Sequence, residues 1–472
     1  MTEWIGAAEA ARRLGIKQAS LYSYVSRGVL TRHRRGPGRV SLFDASEVAG
    51  LARRGRPRRA PGLGELVIFT ELTEIAGDQL RYRGHDAIRL ATAGSFEDVA
   101  GLLWTGALGG GPPAARWRAT REAMAAGRAA QAALPDGTLP LERFQVIVPA
   151  LAATDQFRLH LDPPAVITAG CGLIGGMVDC LPTPDPAPGT DFLPGTDFLP
   201  GTAAPSARFT PSAALFTPSV PPGPASLAGP GSSAGPGSSA GAAAPDLPPA
   251  SASRPAAHGS PMAARLLPKL CPGPPLPGLA RVLSAALVLL ADHELAASTL
   301  AVRVAASVRA DPYAVVGTGL GALGGALHGG AALAAETMLS SAAGPADAPR
   351  VVGDLLRRGE RIPGLGHFIY QTGDPRAVAL LNLTREVAPA AEHLAVADAV
   401  LAEARRRALP EPNIDFALAV LTGVAGMIPG AGEAIFAVAR TAGWLAHALE
   451  EYARDSPIRP RGIYTGPPAL LS

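Results

Sequence analysis

The sequence predicts a mainly α-helical body preceded by a small, basic winged helix-turn-helix unit. Three observations lead there. At 472 residues, 47% apolar and 17% charged, the chain is long enough for two or three domains and apolar enough to bury their cores. Ala and Gly are heavily used while Phe, Trp and Tyr make up only 5%, a balance that favours helix over strand. Charge is unevenly placed. Residues 1–60 hold 13 Lys and Arg against 4 Asp and Glu, a formal +9, which leaves −6 for the rest of a chain whose net charge is +3. A basic head on a mildly acidic body suggests two tasks.

Within the head, Ala7 to Leu14 reads as an amphipathic helix with Ala8, Ala11 and Leu14 on one face, stopped by Gly15. Ser20 opens a second helix, Leu21 to Arg27, which Gly28 ends. Arg32 to Phe43 reads as a two-stranded wing turning at Gly36-Pro37-Gly38, and Asp44 or Ser46 caps a last helix running to Arg54. On such a unit Arg32, Arg34, Arg35 and Arg39 would neutralise phosphates and the second helix would enter a major groove, which makes DNA a possible partner of residues 1–60. The alternative is a solvated flank or a module that docks on another part of the protein.

Residues 61–180 are mostly helical in pattern. Ser95, with Asp98 three residues on, caps a helix through Trp104, and Leu66 to Thr73 reads as a short strand. Residues 181–261 are dominated by Pro, Gly, Ser and Ala and contain a repeated Pro-Gly-Thr-Asp-Phe-Leu, so they read as a disordered insertion. Residues 262–472 return to helix. Ala314 to Ala335 carries no charge, but its Gly and Ala content and His328 argue for a tightly packed helix pair rather than a membrane span. Cys171, Cys180 and Cys271 fit no disulfide framework or metal spacing, so no metal site is expected. The Met1-Thr2-Glu3-Trp4 start lacks an apolar signal core, and a cytoplasmic location is expected.

Four motifs place polar groups at Gly- or Pro-marked breaks in apolar helix. They are Ala291-Asp292-His293-Glu294 through Thr299, Gly324-Gly325-Ala326-Leu327-His328-Gly329-Gly330-Ala331, Pro363-Gly364-Leu365-Gly366-His367 through Arg376, and Pro412-Asn413-Ile414-Asp415-Phe416. A lone apolar-stretch histidine is usually a satisfied core residue. Here glycines flank His328 on both sides and a Gly-x-Gly turn precedes His367, which lets backbone or ligand come close. Asp415 enters an apolar run, where an unpaired carboxylate is costly unless it has a use.

In order and wording these segments resemble bacterial-type citrate synthases over roughly residues 65–180 and 262–466. Leu80-Arg81-Tyr82-Arg83-Gly84-His85 is similar to an early family segment, and Ala439-Arg440-Thr441-Ala442-Gly443-Trp444 and Ile458-Arg459-Pro460-Arg461 follow in family order. The first 60 residues lie outside it and resemble the MerR/excisionase class. The resemblance implies a large helical domain drawn from residues 61–180, 262–330 and 421–472, a small one from 331–420, and a homodimer. It implies condensation of acetyl-CoA, as substrate rather than cofactor, with oxaloacetate, and no cofactor beyond that. Asp415 would be the base, His328 the enol stabiliser, and His367 the group that polarises and protonates the oxaloacetate carbonyl. His293, Arg376 and Arg440 would hold carboxylates, with Arg459 reaching in from the neighbouring subunit.

The chain departs from the family's usual pattern at Ala296 and Ala332, where Asn is usual, at Phe368 in place of Arg, at Gln371 in place of a basic residue, and at Leu418-Ala419 in place of Ser-Gly. Two other readings stand beside the synthase: a 2-methylcitrate synthase using propanoyl-CoA, and a DNA-binding regulator that keeps the fold as a metabolite sensor.

Overall fold

The computed structural model describes residues 4–14, 21, 25, 30–35, 40–45, 47–48, 67–185, 261–370, 372–454 and 456–460. The turn at Gly36-Pro37-Gly38, most of the Leu21–Arg27 helix, the last turns of the helix toward Arg54, residues 186–260 of the insertion, and Gln371 lie outside them. The chain divides into two units, Met1–Asp191 with His258–Ser472, and Phe192–Ala257; the second falls wholly among the undescribed residues.

In the head, β1 (Trp4–Gly6), α1 (Ala7–Arg13), β2 (His33–Arg35) and β3 (Val40–Asp44) follow in order. The strands form an antiparallel sheet in the order β1-β3-β2, with Ile5 opposite Phe43 and His33 opposite Leu42. Of these, β2 and β3 fall where the sequence indicated a strand pair. β1, only three residues long, carried no readable alternation and was not foreseen. Ile5, Ala10, Leu21, Leu30, Phe43 and Val48 make a small core of their own.

The body opens with a meander of β4 (Thr73–Ala76), β5 (Gln79–Tyr82) and β6 (His85–Asp86). The strand expected over Leu66 to Thr73 therefore starts at Thr73 instead. The tight turn at Gly77-Asp78, with Gly77 at φ +61°, sets the hairpin register and pairs the residues on its two sides, not those before Thr73.

The remaining elements are helices: α2 (Ala87–Ala93), α3 (Phe96–Thr105), α4 (Arg121–Ala132), α5 (Pro140–Thr154), α6 (Pro163–Cys180), α7 (Pro261–Leu270), α8 (Leu279–Leu290), α9 (Ala297–Ser307), α10 (Pro312–Leu323), α11 (Gly330–Ser340), α12 (Ala348–Arg357), α13 (Pro375–Val387), α14 (Glu392–Arg406), α15 (Ile414–Val424) and α16 (Ala431–Tyr452). Ser95 and Asp98 form a full capping box on α3, each side chain accepting from the other's backbone N–H. The uncharged Ala314–Ala335 stretch is most of α10, a turn and the start of α11. Among the described residues one helix, Pro163–Cys180, is long and apolar enough to cross a membrane, and most of it is buried inside the fold.

α16 is the spine. It is buried on nearly every side and packs against α3, α6, α8, α9 and α10. Small residues let neighbours come close: Trp104 on α3 donates its indole N–H to the Ala442 carbonyl at 2.9 Å. A second group packs mainly on itself, α11 on α15, α13 on α15, and α12 on α14, and it meets the first where α8 touches α13. The four motifs sit on the turns and helix ends between these two groups.

Candidate active site

Asp415 is the second residue of α15. Asn413 caps that helix by accepting from the N–H groups of Asp415 (3.0 Å) and Phe416 (3.3 Å). The same Asn413 donates its side-chain N–H to the Gly366 carbonyl at 2.8 Å, and its backbone N–H to Gly364. Gly366 in turn donates to the Glu411 carbonyl. The His367 loop is thus laced to the start of α15. Gly364, at φ +78°, must be glycine, because a Cβ there would lie 2.7 Å from that of Phe416.

Asp374 and Arg376 lock the other side of the loop. Asp374 caps α13 and holds the Arg376 guanidinium at 2.7 and 2.9 Å, and also accepts the Ile414 N–H at 3.0 Å. Both side chains are buried. A charge-assisted fork of this kind fixes orientation as well as charge. The pair keeps Arg376 protonated despite its burial.

His367 Nδ1 accepts the backbone N–H of Ile369 at 3.0 Å. Arg376 Nη2, also a donor, stands 3.5 Å from Nε2, and the shorter Ile369 contact puts the neutral ring's proton on that nitrogen. Burial pushes its pKa down to about 4, with Arg376 adding to the shift. His293 packs edge-on to His367 with ring centres 5.2 Å apart, and its Nε2 lies 3.0 Å from the Tyr370 hydroxyl. Burial, then Arg376 and Arg440, hold it neutral as well. His328, in the turn between α10 and α11, places Nε2 2.7 Å from the Ser298 hydroxyl and its ring edge-on to Phe436. Burial and Arg440 lower its pKa to about 4.

Arg440 is the common neighbour. Its guanidinium lies 4.7 Å above the Phe436 ring, its Nε donates to the Leu290 carbonyl at 2.9 Å, and its Nη1 is buried without a hydrogen-bond partner. Burial draws its pKa down to about 10, against the pull of Asp292. Asp415 is half-buried. Burial raises its carboxyl to about 6, against the opposing charges of Arg376 and Arg440.

Of the residues singled out from sequence, one chain thus gathers His293, His328, His367, Arg376, Arg440 and Asp415. Arg459 does not join them; it lies exposed beyond the end of α16. Sequence reasoning passed over Ser298, Tyr370 and Asp374, though all three fall inside quoted motifs. Asp374 had a legible signal, an N-cap Asp followed by Pro. Of the unusual positions, Ala296 sits at the start of α9 without a side-chain cap, Ala332 is fully buried in α11, and Phe368 is wholly exposed beside His367. A cavity of about 510 Å³ opens there, walled by apolar side chains such as Leu356, Ile362 and Phe368 and also by Glu360, Arg361 and His367. Among the described residues, no group of three or more His, Cys, Asp or Glu is placed to hold a metal ion.

The helical architecture is that of solved citrate synthases. The enzyme of Thermoplasma acidophilum, solved as a ternary complex with carboxymethyl coenzyme A and oxaloacetate, matches with TM-score 0.60 at 22% identity, over 87% of this chain and 97% of that one. The Pyrobaculum aerophilum citrate synthase matches with TM-score 0.59 at 22% identity, over 94% and 96%. A family model described as citrate synthase, C-terminal domain, matches residues 62–173 and 250–461, and the chain belongs to the citrate synthase family. In sequence it is 40% identical to citrate synthase 2 of Bacillus subtilis over 189 residues, 39% of this chain and 50% of that protein. It is 38% identical to citrate synthase of Haloferax volcanii over 195 residues, 40% and 51%. The chain spans about half the length of the curated relatives it matches.

Proposed function

We propose that this protein condenses acetyl-CoA with oxaloacetate and water to give citrate and CoA, as a citrate-synthase-type acyltransferase. The observation that carries the reading is the single set formed by a carboxylate raised to about 6, three neutral imidazoles and a buried arginine with an unpartnered N–H. Asp415 takes a proton from the acetyl methyl. A methyl next to a thioester is a very weak acid, so the enol oxygen needs a donor, which His328 supplies. If Ser298 donates to Nε2 of His328, the ring's remaining N–H is on Nδ1 and free for that oxygen. The enol carbon attacks the 2-oxo carbon while the Nε2–H of His367 polarises and then protonates the carbonyl oxygen. Water finally cleaves the thioester and releases CoA.

His293, Arg376 and Arg440 hold the carboxylates of the 2-oxo acid, and the unpartnered Nη1 of Arg440 is suited to donate to one. Arg459 would contribute from a second subunit of a homodimer. The cavity lined in part by His367 would receive the acyl-CoA arm. The Thermoplasma enzyme of the same fold holds a CoA analogue and oxaloacetate together. The scheme needs neither metal nor cofactor, and a cytoplasmic setting goes with its substrates.

Free thiol released from acetyl-CoA or propanoyl-CoA, with and without oxaloacetate, tests this. Release that requires both substrates is expected; release indifferent to the 2-oxo acid, or none, refutes it. Faster turnover of propanoyl-CoA would select the 2-methylcitrate variant.

A second reading concerns the head. Its separate small core and antiparallel strand pair, on a segment of formal charge +9, favour DNA binding by residues 1–60. Gel shifts of the full chain and of a chain starting at Pro61 test it at low and moderate salt. Binding lost with the head, and falling steeply with salt, is expected. Equal behaviour of the two proteins removes this reading.

A further inference from the structure

Behind the site, α16 carries a second row of polar groups that the proposed chemistry does not use. His447, Glu450 and Glu451 follow Arg440 at intervals that keep them on one side of the helix. Arg303 of α9 is fully buried among them. Its Nε lies 2.6 Å from Glu451, and its Nη1 lies 2.6 Å from both Glu450 and His447 Nδ1. A guanidinium can only donate, so His447 Nδ1 must be the acceptor and the neutral ring must carry its proton on Nε2. That Nε2 lies between the two carboxylate oxygens of Asp292, at 3.2 and 3.3 Å. Thr73 donates its hydroxyl to the same carboxylate.

Asp292 is the residue before His293 and is itself wholly buried. Glu294, just after, is held at φ +57°, a conformation non-glycine residues avoid unless their surroundings impose it. The residues just before it are held from both sides. The Tyr82 hydroxyl donates to the Asp292 carbonyl, and Gly443 donates to that of Ala291. Asp292 also faces Arg440 and is the nearby negative charge that offsets the effect of burial on that guanidinium.

We propose that His447 is a positioning residue: through its fixed tautomer it ties Arg303 to Asp292, and so sets the turn that presents His293 and the charge that steadies Arg440 for an anionic 2-oxo acid. This rests on the proposed function for the identity of the ligand. The probe is oxaloacetate, bound to the full chain and followed by calorimetry, which needs no turnover.

His447→Ala leaves Asp292 buried with one charge-assisted donor fewer. A hydrogen bond to a charged group is worth enough to weaken oxaloacetate binding by about 10- to 100-fold. His447→Gln, whose amide can accept from Arg303 and donate to Asp292, should restore most of it. In turnover the KM for oxaloacetate should rise more than kcat falls, with the KM for acetyl-CoA unchanged. Glu392→Ala, on the exposed face of α14, is the control and should bind as the unaltered protein does. A folded His447→Ala protein with unaltered oxaloacetate affinity overturns the proposal. So do equal losses in the Ala and Gln variants, which would indicate packing alone. If the unaltered chain binds oxaloacetate but releases no CoA, the proposed reaction fails and the positioning role stands. If it does not bind oxaloacetate, both fall.

Discussion

Replacing Asp415 by Asn should remove activity and make the protein more stable. The carboxyl is raised from 3.8 to about 6, with burial as the main cause. The fold thus favours its protonated form. That contribution is fully present below the unfolded-state pKa and is lost as the pH rises through about 6. At pH 8 the folded protein therefore bears the cost of an ionised, half-buried carboxylate. The shift spans about two pH units, and at 1.36 kcal/mol each the cost is up to about 3 kcal/mol, with residual solvent contact bringing it nearer 1 to 2. Asn has the same shape and no charge, so Asp415→Asn should gain that amount at pH 8 and little at pH 4. Urea denaturation at the two pH values measures it. The same variant should lose about 100- to 10,000-fold in CoA release, as expected for a missing general base. In the unaltered protein kcat/KM for CoA release should rise through about pH 6 as Asp415 ionises. An Asn variant that is less stable at pH 8, or one that keeps near-normal turnover, would refute the reasoning.

Arg440→Ala and Arg376→Ala should both weaken oxaloacetate binding far more than acetyl-CoA binding, as read by separate KM values. They should differ in stability: Arg376→Ala strands the buried Asp374 and should cost about 3 to 5 kcal/mol in urea denaturation, whereas Arg440 has no such bidentate partner. Gly443→Ala should lower both the melting temperature and oxaloacetate affinity, because a Cβ there would lie 2.6 Å from Asp292 Oδ1 and collide with the Ala291 carbonyl. Deleting residues 192–257 should leave the melting temperature and CoA release unchanged, since that composition cannot supply a core. The deletion should spare Leu181, which is buried and accepts a hydrogen bond from Lys269. A large drop in melting temperature on deletion would show that the segment packs.

The motifs of the candidate site were legible because their signals are local: a polar residue beside glycines, or at the edge of an apolar run. Ser95 before Asp98 is a signal of this local kind and caps as expected, while the Asn413 cap before Asp415 came to light only in the structure. What escaped notice depends on distant partners. His447 reads as one polar residue in an apolar helix. Its role appears only when Arg303, 144 positions away, and Asp292, 155 away, close around it. β1 escaped because three residues show no period, and β4 was misplaced because the Gly77 turn outweighs the apolar run before it.

The three site histidines illustrate why burial and arginine work together here. Each ring is pushed toward neutrality first by burial and then by a nearby guanidinium. A neutral imidazole can donate a hydrogen bond to an oxygen that is becoming negative without having already given up its proton, which an enol and an alkoxide both require. The positive charge remains on Arg376 and Arg440, where it can meet carboxylates. Acid and cation are therefore separate groups, and an anionic substrate would not neutralise the donors it needs. Asp415 fits the same division. It is raised by burial to about 6, a more proton-hungry base than a free aspartate, yet still ionised at neutral pH. Lowering the charge at Arg440 should for that reason disturb binding first and the proton chemistry second.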